Sequence, residues 1–249
     1  MTRVNILGVG VSAINLSQAT ALILEAVRQK RRGYVAVTGV HGVSEAQSDP
    51  EFRRILNAAF LNTPDGMPMS WVGRLQGFQD MGRVYGPDLM LSLCEATQDG
   101  SVRHFFYGGA PGVADDLSAA LSLRFPGIAV CGTYTPPFRP LNSEEETELF
   151  RRLEEVQPDI CWVGLSTPKQ ERWMYAHRGR VDAVMLGVGA AFDFLAGSKP
   201  QAPRWMQNSG LEWLFRLATE PRRLWRRYLG QNPRFAVLAL AQVLRERFP

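Results

Sequence analysis

Four short apolar runs constrain the fold of this chain more than any other feature. "YVAVTG" (34–39), "RHFFYGG" (103–109), "DICWVGLS" (159–166) and "DAVMLGVGA" (182–190) are apolar along their length and end in glycine or serine. A strand with one wet face alternates apolar and polar residues, whereas a run without alternation is covered on both faces. Between the runs lie amphipathic stretches such as "PGVADDLSAALSLRF" (111–125) and "SEEETELFRRLEEV" (143–156). Doubly covered strands alternating with helices make an α/β fold with a parallel sheet flanked by helices. Ser143 ahead of Glu146 has the spacing of a capping box and predicts a helix over about 144–156. "TYTPPFRPLNS" (133–143) reads as a loop beside the strand ends. There is no internal repeat and no low-complexity linker. With 249 residues the chain can bury one sizeable core, as a single α/β domain or as a domain with an appendage.

Near residue 200 the alternation stops at "KPQAPRWMQ" (199–207), and an arginine- and tryptophan-rich end begins. The net charge of +4 is unevenly spread: residues 1–200 hold 19 Lys and Arg against 21 Asp and Glu, whereas 201–249 hold nine Arg against three Glu. Arginine is the side chain suited to bidentate phosphate contacts, so the partner of this end is anionic. Within it, "EPRRLWRRYL" (220–229) divides on a helical wheel. Arg222, Arg223, Arg226 and Arg227 take one side, and Leu224, Trp225, Tyr228 and Leu229 take the other.

Cys94, Cys131 and Cys161 are odd in number, widely spaced and without a CxxC pair, which suits buried thiols in a reducing cytoplasm. The apolar start "MTRVNILGVGVSAINL" is too short for a signal peptide, and "FAVLALAQVL" (235–244) is about half a membrane span. Any meeting with a membrane is therefore at its surface. His41, His104 and His177 have no ligand spacing with each other or with cysteine, so no metal site is expected. His104 is expected in or beside a strand and His177 on an exposed helix face. The chain also lacks a D-x-D for a nucleotide-bound cation and a G-x-S-x-G elbow.

Ligands of parallel sheets sit beyond the carboxyl ends of the strands, so the glycine-rich exits are the candidate sites. "GVGVSA" (8–13) matches G-x-G-x-x-A, but no acidic residue on a following strand supports a dinucleotide site, and a turn is the favoured reading. In "YGGAPGVADD" (107–116), Gly108 and Gly109 lead into a helix start whose N–H groups suit a diphosphate, or else form a tight turn. In "NTPDGMPMSW" (62–71), Asp65 sits in a Pro-Asp-Gly turn beside Met67, Met69 and Trp71. It is either an ordinary turn acid or a carboxylate in a partly apolar cleft, suited to taking a proton from a hydroxyl. In "STPKQERWM" (166–174), Lys169 opposes the dipole of the helix it opens, which a bound anion would offset.

Together "TPDGMPMSWVGRLQG", "RVYGPDLM", "FFYGGAPGVADD", "PDICWVGLSTPKQERWM", "GVGAAFDFLAG" and "APRWMQNSGLEWLFRLATEPRRLWRRYL" resemble the WecG/TagA/CpsF glycosyltransferases in order and spacing, over about residues 3–235. The resemblance implies a Rossmann-like core, here 1–199, and a C-terminal helical appendage, here 200–249, that associates with membrane and closes the active site. It implies inverting, metal-free transfer of a sugar from a UDP-sugar to a polyprenyl-diphosphate-linked sugar in cell-surface polysaccharide synthesis, with no cofactor. The implied location is the cytoplasmic face of the plasma membrane, as a peripheral protein, and a homo-oligomer is compatible. Position by position, the resemblance makes Asp65 the general base, with Thr38 and Arg83 beside it, and places Gln170 on the donor. Backbone at Gly108, Gly109, Gly187 and Gly189, with Lys169 and Asp193, completes the expected donor site. Arg222, Arg223 and Arg226 are expected on the acceptor diphosphate or on anionic lipid. One departure matters. Many members carry asparagine two residues after the threonine, where this chain has Val40 followed by His41, so His41 joins the expected sugar pocket and the donor need not be UDP-N-acetylmannosamine. Two rival readings are an NAD(P)-dependent oxidoreductase resting on "GVGVSA" and a nucleic-acid-binding module resting on the arginine tail. No basic stripe outside 201–249 supports the second, and no nucleic acid partner is expected.

Overall fold

The computed structural model describes residues 1–247; Phe248 and Pro249, the end of the expected appendage, lie outside the described residues. The chain divides into two compact units, one of residues 1–16, 37–85 and 201 onward, the other of residues 17–36 and 86–200.

The second unit carries most of a six-stranded sheet. Its strands are β3 (Gly33–Thr38), β5 (Arg103–Gly108), β6 (Ala129–Tyr134), β7 (Ile160–Gly164) and β8 (Val184–Gly187), with β4 (Leu61–Pro64) as the sixth. The order is β4-β3-β8-β7-β5-β6, and the pairs β3–β8, β8–β7, β7–β5 and β5–β6 are all parallel. The last two residues of β3, Val37 and Thr38, belong with β4 to the first unit. Ile160, Cys161, Trp162 and Val163 are all fully buried, as a strand covered on both faces requires. The remaining helices of this unit are α1 (Leu16–Arg28), α5 (Gly86–Ala96), α6 (Val113–Arg124), α7 (Ser143–Val156), α8 (Lys169–His177) and α9 (Ala191–Leu195). The capping box of α7 is set one residue earlier than expected: Asn142 accepts from the Glu145 N–H, and Glu145 accepts from the Asn142 N–H. Asparagine fills the cap as well as serine does, which leaves Ser143 as the first helical residue.

His104 lies in β5, inside the core. Trp162 Nε1 donates to its Nδ1 at 3.0 Å, and its Nε2 lies 2.9 Å from Thr97 Oγ1. The Thr97 hydroxyl is itself spent on the Leu93 carbonyl, so Nε2 carries the proton and the ring is neutral. Burial holds its pKa down at about 4. His177 is not on a free helix face; its ring lies tilted against Trp173 at 4.8 Å and Phe150 at 5.3 Å between centres.

The first unit opens with a hairpin of β1 (Arg3–Ile6) and β2 (Val9–Ser12), turned by Leu7 and Gly8 at φ 52° and 84°. Two consecutive left-handed residues make the tight turn that suits strand twist. "GVGVSA" is therefore hairpin turn and strand, and no helix opens on its glycines to receive a pyrophosphate. The unit continues with α2 (Val40–Ser48), α3 (Pro50–Ala58) and α4 (Met67–Leu75). It ends with α10 (Arg204–Asn208), α11 (Glu212–Thr219) and α12 (Pro221–Arg247). No described helix is long and apolar enough to cross a membrane.

The long helix α12 corrects the expected wheel. Its inward stripe is Leu224, Tyr228, Gln231, Phe235, Ala239 and Gln242, repeating every three or four residues. Gln231 reaches His41 and Glu45 on α2 at 2.7 and 2.8 Å, and Gln242 bonds Leu7 N and Asn5 O at 2.9 and 2.8 Å. This register is set along the whole helix, so the ten residues "EPRRLWRRYL" cannot choose their own. Trp225 and Leu229, on the apolar side of the expected wheel, are 48% and 58% exposed, while Arg227 leaves the arginine face and turns inward.

Candidate active site

Two neighbouring strand ends build the site in the first unit. β3 ends at Thr38, β4 ends at Pro64, and the Asp65 N–H donates to the Thr38 carbonyl at 2.9 Å. Gly39 makes room for this approach: a Cβ there would lie 3.1 Å from the Asp65 carbonyl oxygen and 3.4 Å from Oδ2. Gly66, at φ 83°, then turns the chain into α4. Val84 N donates to the Pro64 carbonyl at 2.8 Å, which returns the 82–85 segment to the same strand end and brings Arg83 with it. Thr38 is buried, and its hydroxyl has no hydrogen-bond partner among the described residues.

Arg83 is clamped from the C-terminal segment. Its Nη2 donates to Gln207 Oε1 at 3.1 Å, its Nη1 lies 3.6 Å from Glu212 Oε2, and its guanidinium sits 4.7 Å from the Tyr85 ring centre. Gln207 is held in turn by the Ala202 carbonyl at 2.7 Å. Asp65 is recessed but keeps some contact with solvent, as a group at the bottom of a cleft does. Loss of hydration pushes its pKa up to about 7, helped by the negative charge of Glu212 and opposed by Arg83, Arg216 and Arg227. Arg227 is brought down to about 10, chiefly by burial, and its Nε has no partner among the described residues. A carboxyl poised near neutrality beside three guanidinium groups can accept a proton next to a bound phosphate.

Of the residues expected from sequence, Asp65, Thr38 and Arg83 share this unit. His41 is in the unit too, on α2, with its Nδ1 taken by Gln231. Arg222, Arg223 and Arg226 point outward; Arg223 pairs with Glu220 at 2.6 Å and Arg226 lies over the Trp225 ring. Sequence reasoning missed Arg216, Glu212, Tyr85 and Gln207, and left Arg227 on the arginine face expected to meet lipid or the acceptor diphosphate. Glu212 and Arg216 are four apart on α11, a spacing that reads equally well as a solvated surface pair.

The second unit gathers glycine-rich strand ends. Gly108 ends β5 and Gly109 follows it, at φ 129° and 78°, and a Cβ on Gly108 would fall 2.7 Å from the Gly164 backbone at the end of β7. Only glycine lets these exits run side by side, and Gly109 N donates to the Gly164 carbonyl at 3.0 Å. Gly187 and Gly189 turn β8 into α9 over the buried side chain of Gln170. Lys169 is exposed on the first turn of α8. Asp193 ties down the end of α9, with Oδ2 2.7 Å from Lys199 Nζ and its carbonyl accepting from Ser198 N at 3.0 Å. Among the described residues, no group of three His, Cys, Asp or Glu side chains could hold a metal ion.

The parallel sheet with glycine-rich strand exits suits an α/β transferase. The chain belongs to the glycosyl transferase WecG/TagA/CpsF family, whose model matches residues 4–249, and is a glycosyltransferase. It is 32% identical over 187 residues to an N-acetylglucosaminyldiphosphoundecaprenol N-acetyl-β-D-mannosaminyltransferase of Bacillus spizizenii (strain ATCC 23059 / NRRL B-14472 / W23), covering 75% of this chain and 70% of the relative. It is 28% identical over 198 residues to a protein of the same description from Bacillus subtilis (strain 168), covering 79% and 75%.

Proposed function

We propose that this enzyme moves N-acetylmannosamine or a related sugar from a UDP-sugar to a polyprenyl-diphosphate-linked sugar, with inversion and without a metal, in cell-surface polysaccharide synthesis. The names of the two relatives supply the acceptor type, a diphosphoundecaprenol carrying N-acetylglucosamine, and the sugar moved. The observation that carries the reading is Asp65: a recessed carboxyl raised to about 7, with Arg83, Arg216 and Arg227 acting on it. A base of that pKa removes the proton of the acceptor hydroxyl at neutral pH as the new glycosidic bond forms. The arginines balance diphosphate charge, as positioned cations do where no metal serves. The glycine exits at 108–109 and 187–189, with Gln170 and Lys169, hold the donor.

The C-terminal segment serves as the membrane-associating appendage on the inner face of the plasma membrane. Arg222 and Arg226 share the exposed side of α12 with Trp225, Leu229 and Leu240, a pairing suited to anionic headgroups. A homo-oligomer is compatible with this arrangement. The test is incubation with a panel of UDP-sugars and a short-chain polyprenyl-diphosphate N-acetylglucosamine, read by product mass. One sugar added with release of UDP is the expected result; no transfer from any UDP-sugar overturns the proposal. The panel also decides whether His41, in place of the asparagine pattern, changes the donor.

A further inference from the structure

Gln170, the second residue of α8, is 3% exposed, yet only half of its amide is used within the protein. Its Nε2 donates to Glu171 Oε1 at 2.9 Å, and the Thr167 hydroxyl donates to the same oxygen at 2.8 Å. A carboxylate accepts hydrogen bonds and cannot donate them, so it selects the NH2 end of the amide and turns the carbonyl end away. That oxygen, Oε1, is buried and has no hydrogen-bond partner among the described residues. It lies over the turn from β8 to α9. A Cβ on Gly189 would sit 3.4 Å from Oε1, and one on Gly187 would sit 3.1 Å from Nε2 and 2.6 Å from Met174 Cε. The turn thus meets the amide with backbone alone, where a side chain would crowd it.

Burying a carbonyl oxygen without a donor is unfavourable, and an apolar side chain of the same length would avoid the penalty. Phosphate oxygens cannot supply what is missing, because they too are acceptors. We propose that Glu171 is a positioning residue that locks the Gln170 amide so that Oε1 reads a hydrogen-bond donor, a hydroxyl or an N–H, on the nucleotide sugar. Gln170 then selects the donor substrate and takes no part in holding its diphosphate. This inference rests on the reading of the second unit as the UDP-sugar site.

The experiment measures binding of a UDP-sugar, of its deoxy and deacetamido sugar analogues and of its N3-methyluridine analogue to the wild type and to Gln170→Met. The wild type should lose roughly tenfold in affinity for the one analogue that lacks the donor group. Gln170→Met should lose as much for the intact nucleotide sugar and nothing further for that analogue. The arm showing this non-additivity tells a sugar group from the base N–H. Glu171→Gln, which can present either end of its own amide, should raise KM for the nucleotide sugar severalfold with kcat nearly kept and an unchanged melting temperature. Gln170→Met binding as tightly as the wild type, or losses that add for every analogue, overturns the inference while the UDP-sugar site stands. No binding of any UDP-sugar by the wild type overturns both. Should Glu171→Gln fail to fold, the Gln170→Met comparison decides alone.

Discussion

Arg83 Nη1 and Glu212 Oε2 lie 3.6 Å apart, with both side chains largely buried, and both act on the carboxyl of Asp65. Glu212 therefore acts on Asp65 twice, through its own negative charge and by offsetting that of Arg83. Replacing it by glutamine removes a like charge, which favours the ionised form of Asp65 and lowers its pKa. The acidic limb of the kcat/KM profile, expected near pH 7 in the wild type, should move to lower pH in Glu212→Gln. An unmoved limb would mean that the observed ionisation does not belong to Asp65.

Asp65→Asn should lower turnover by roughly 10²-fold or more, the scale of lost general-base catalysis, with UDP binding nearly intact. The same variant should be more stable at pH 8. Asp65 has a folded-state pKa of about 7 against 3.8 in the unfolded chain, so folding favours its protonated form. Its ionisation costs stability that is present below 3.8 and lost as pH rises through 7, at most about 4 kcal/mol. Melting curves of the two proteins should diverge at pH 8 and converge at pH 4.

His104 works in the opposite sense. Its folded-state pKa of about 4 lies below the ordinary 6.5, so its contribution is complete above 6.5 and is lost as pH falls through 4. The loss amounts to about 3 kcal/mol. Because Asp65 gains over nearly the same window, the measurement belongs in the Asp65→Asn background. Denaturant midpoints there should fall between pH 6.5 and 4.5, and adding His104→Gln should flatten the slope. Glu145 and Glu148, held at about 2 by arginine partners, titrate below this range.

The four arginines of "EPRRLWRRYL" should separate into two phenotypes. Arg222, Arg223 and Arg226 point outward, so their joint replacement by glutamine should weaken flotation with anionic vesicles by about 1 kcal/mol per residue, more visibly at low salt. Activity on a soluble short-chain acceptor should survive that change. Arg227→Gln should do the reverse, leaving flotation nearly unchanged and cutting turnover on both acceptors, since this guanidinium acts on Asp65.

EDTA should leave transfer intact, because arginines and backbone N–H groups at the strand exits are assigned the work of balancing the departing UDP. Activity lost to EDTA and restored by Mg²⁺ or Mn²⁺ would reverse that assignment.

The four central strands were legible in sequence because strands covered on both faces must be apolar throughout, and no other element writes that pattern so briefly. Asp65, Thr38 and Arg83 are singled out together only through a motif resemblance; Asp65 alone, in a Pro-Asp-Gly turn, reads equally as an ordinary turn acid. The edge strands β4 and β6 were not read. "LNTP" is too short to show a period, and "AVCGTY" is half-buried along its length, so it mixes apolar, small and hydroxyl residues. The direction of each tail arginine was likewise out of reach. A ten-residue window fixes relative angles on a helix but not which angle faces inward. That was decided by Tyr228, Gln231, Phe235 and Gln242 acting along the whole of α12, through contacts with α2 and the N-terminal hairpin up to 237 residues away in the chain. The sequence by itself determined the four doubly covered strands and where their glycine exits fall, because burial and backbone freedom are local demands. Only the tertiary structure decided that Arg216, Arg227 and Glu212 tune Asp65, because charge acts through space and is indifferent to order along the chain.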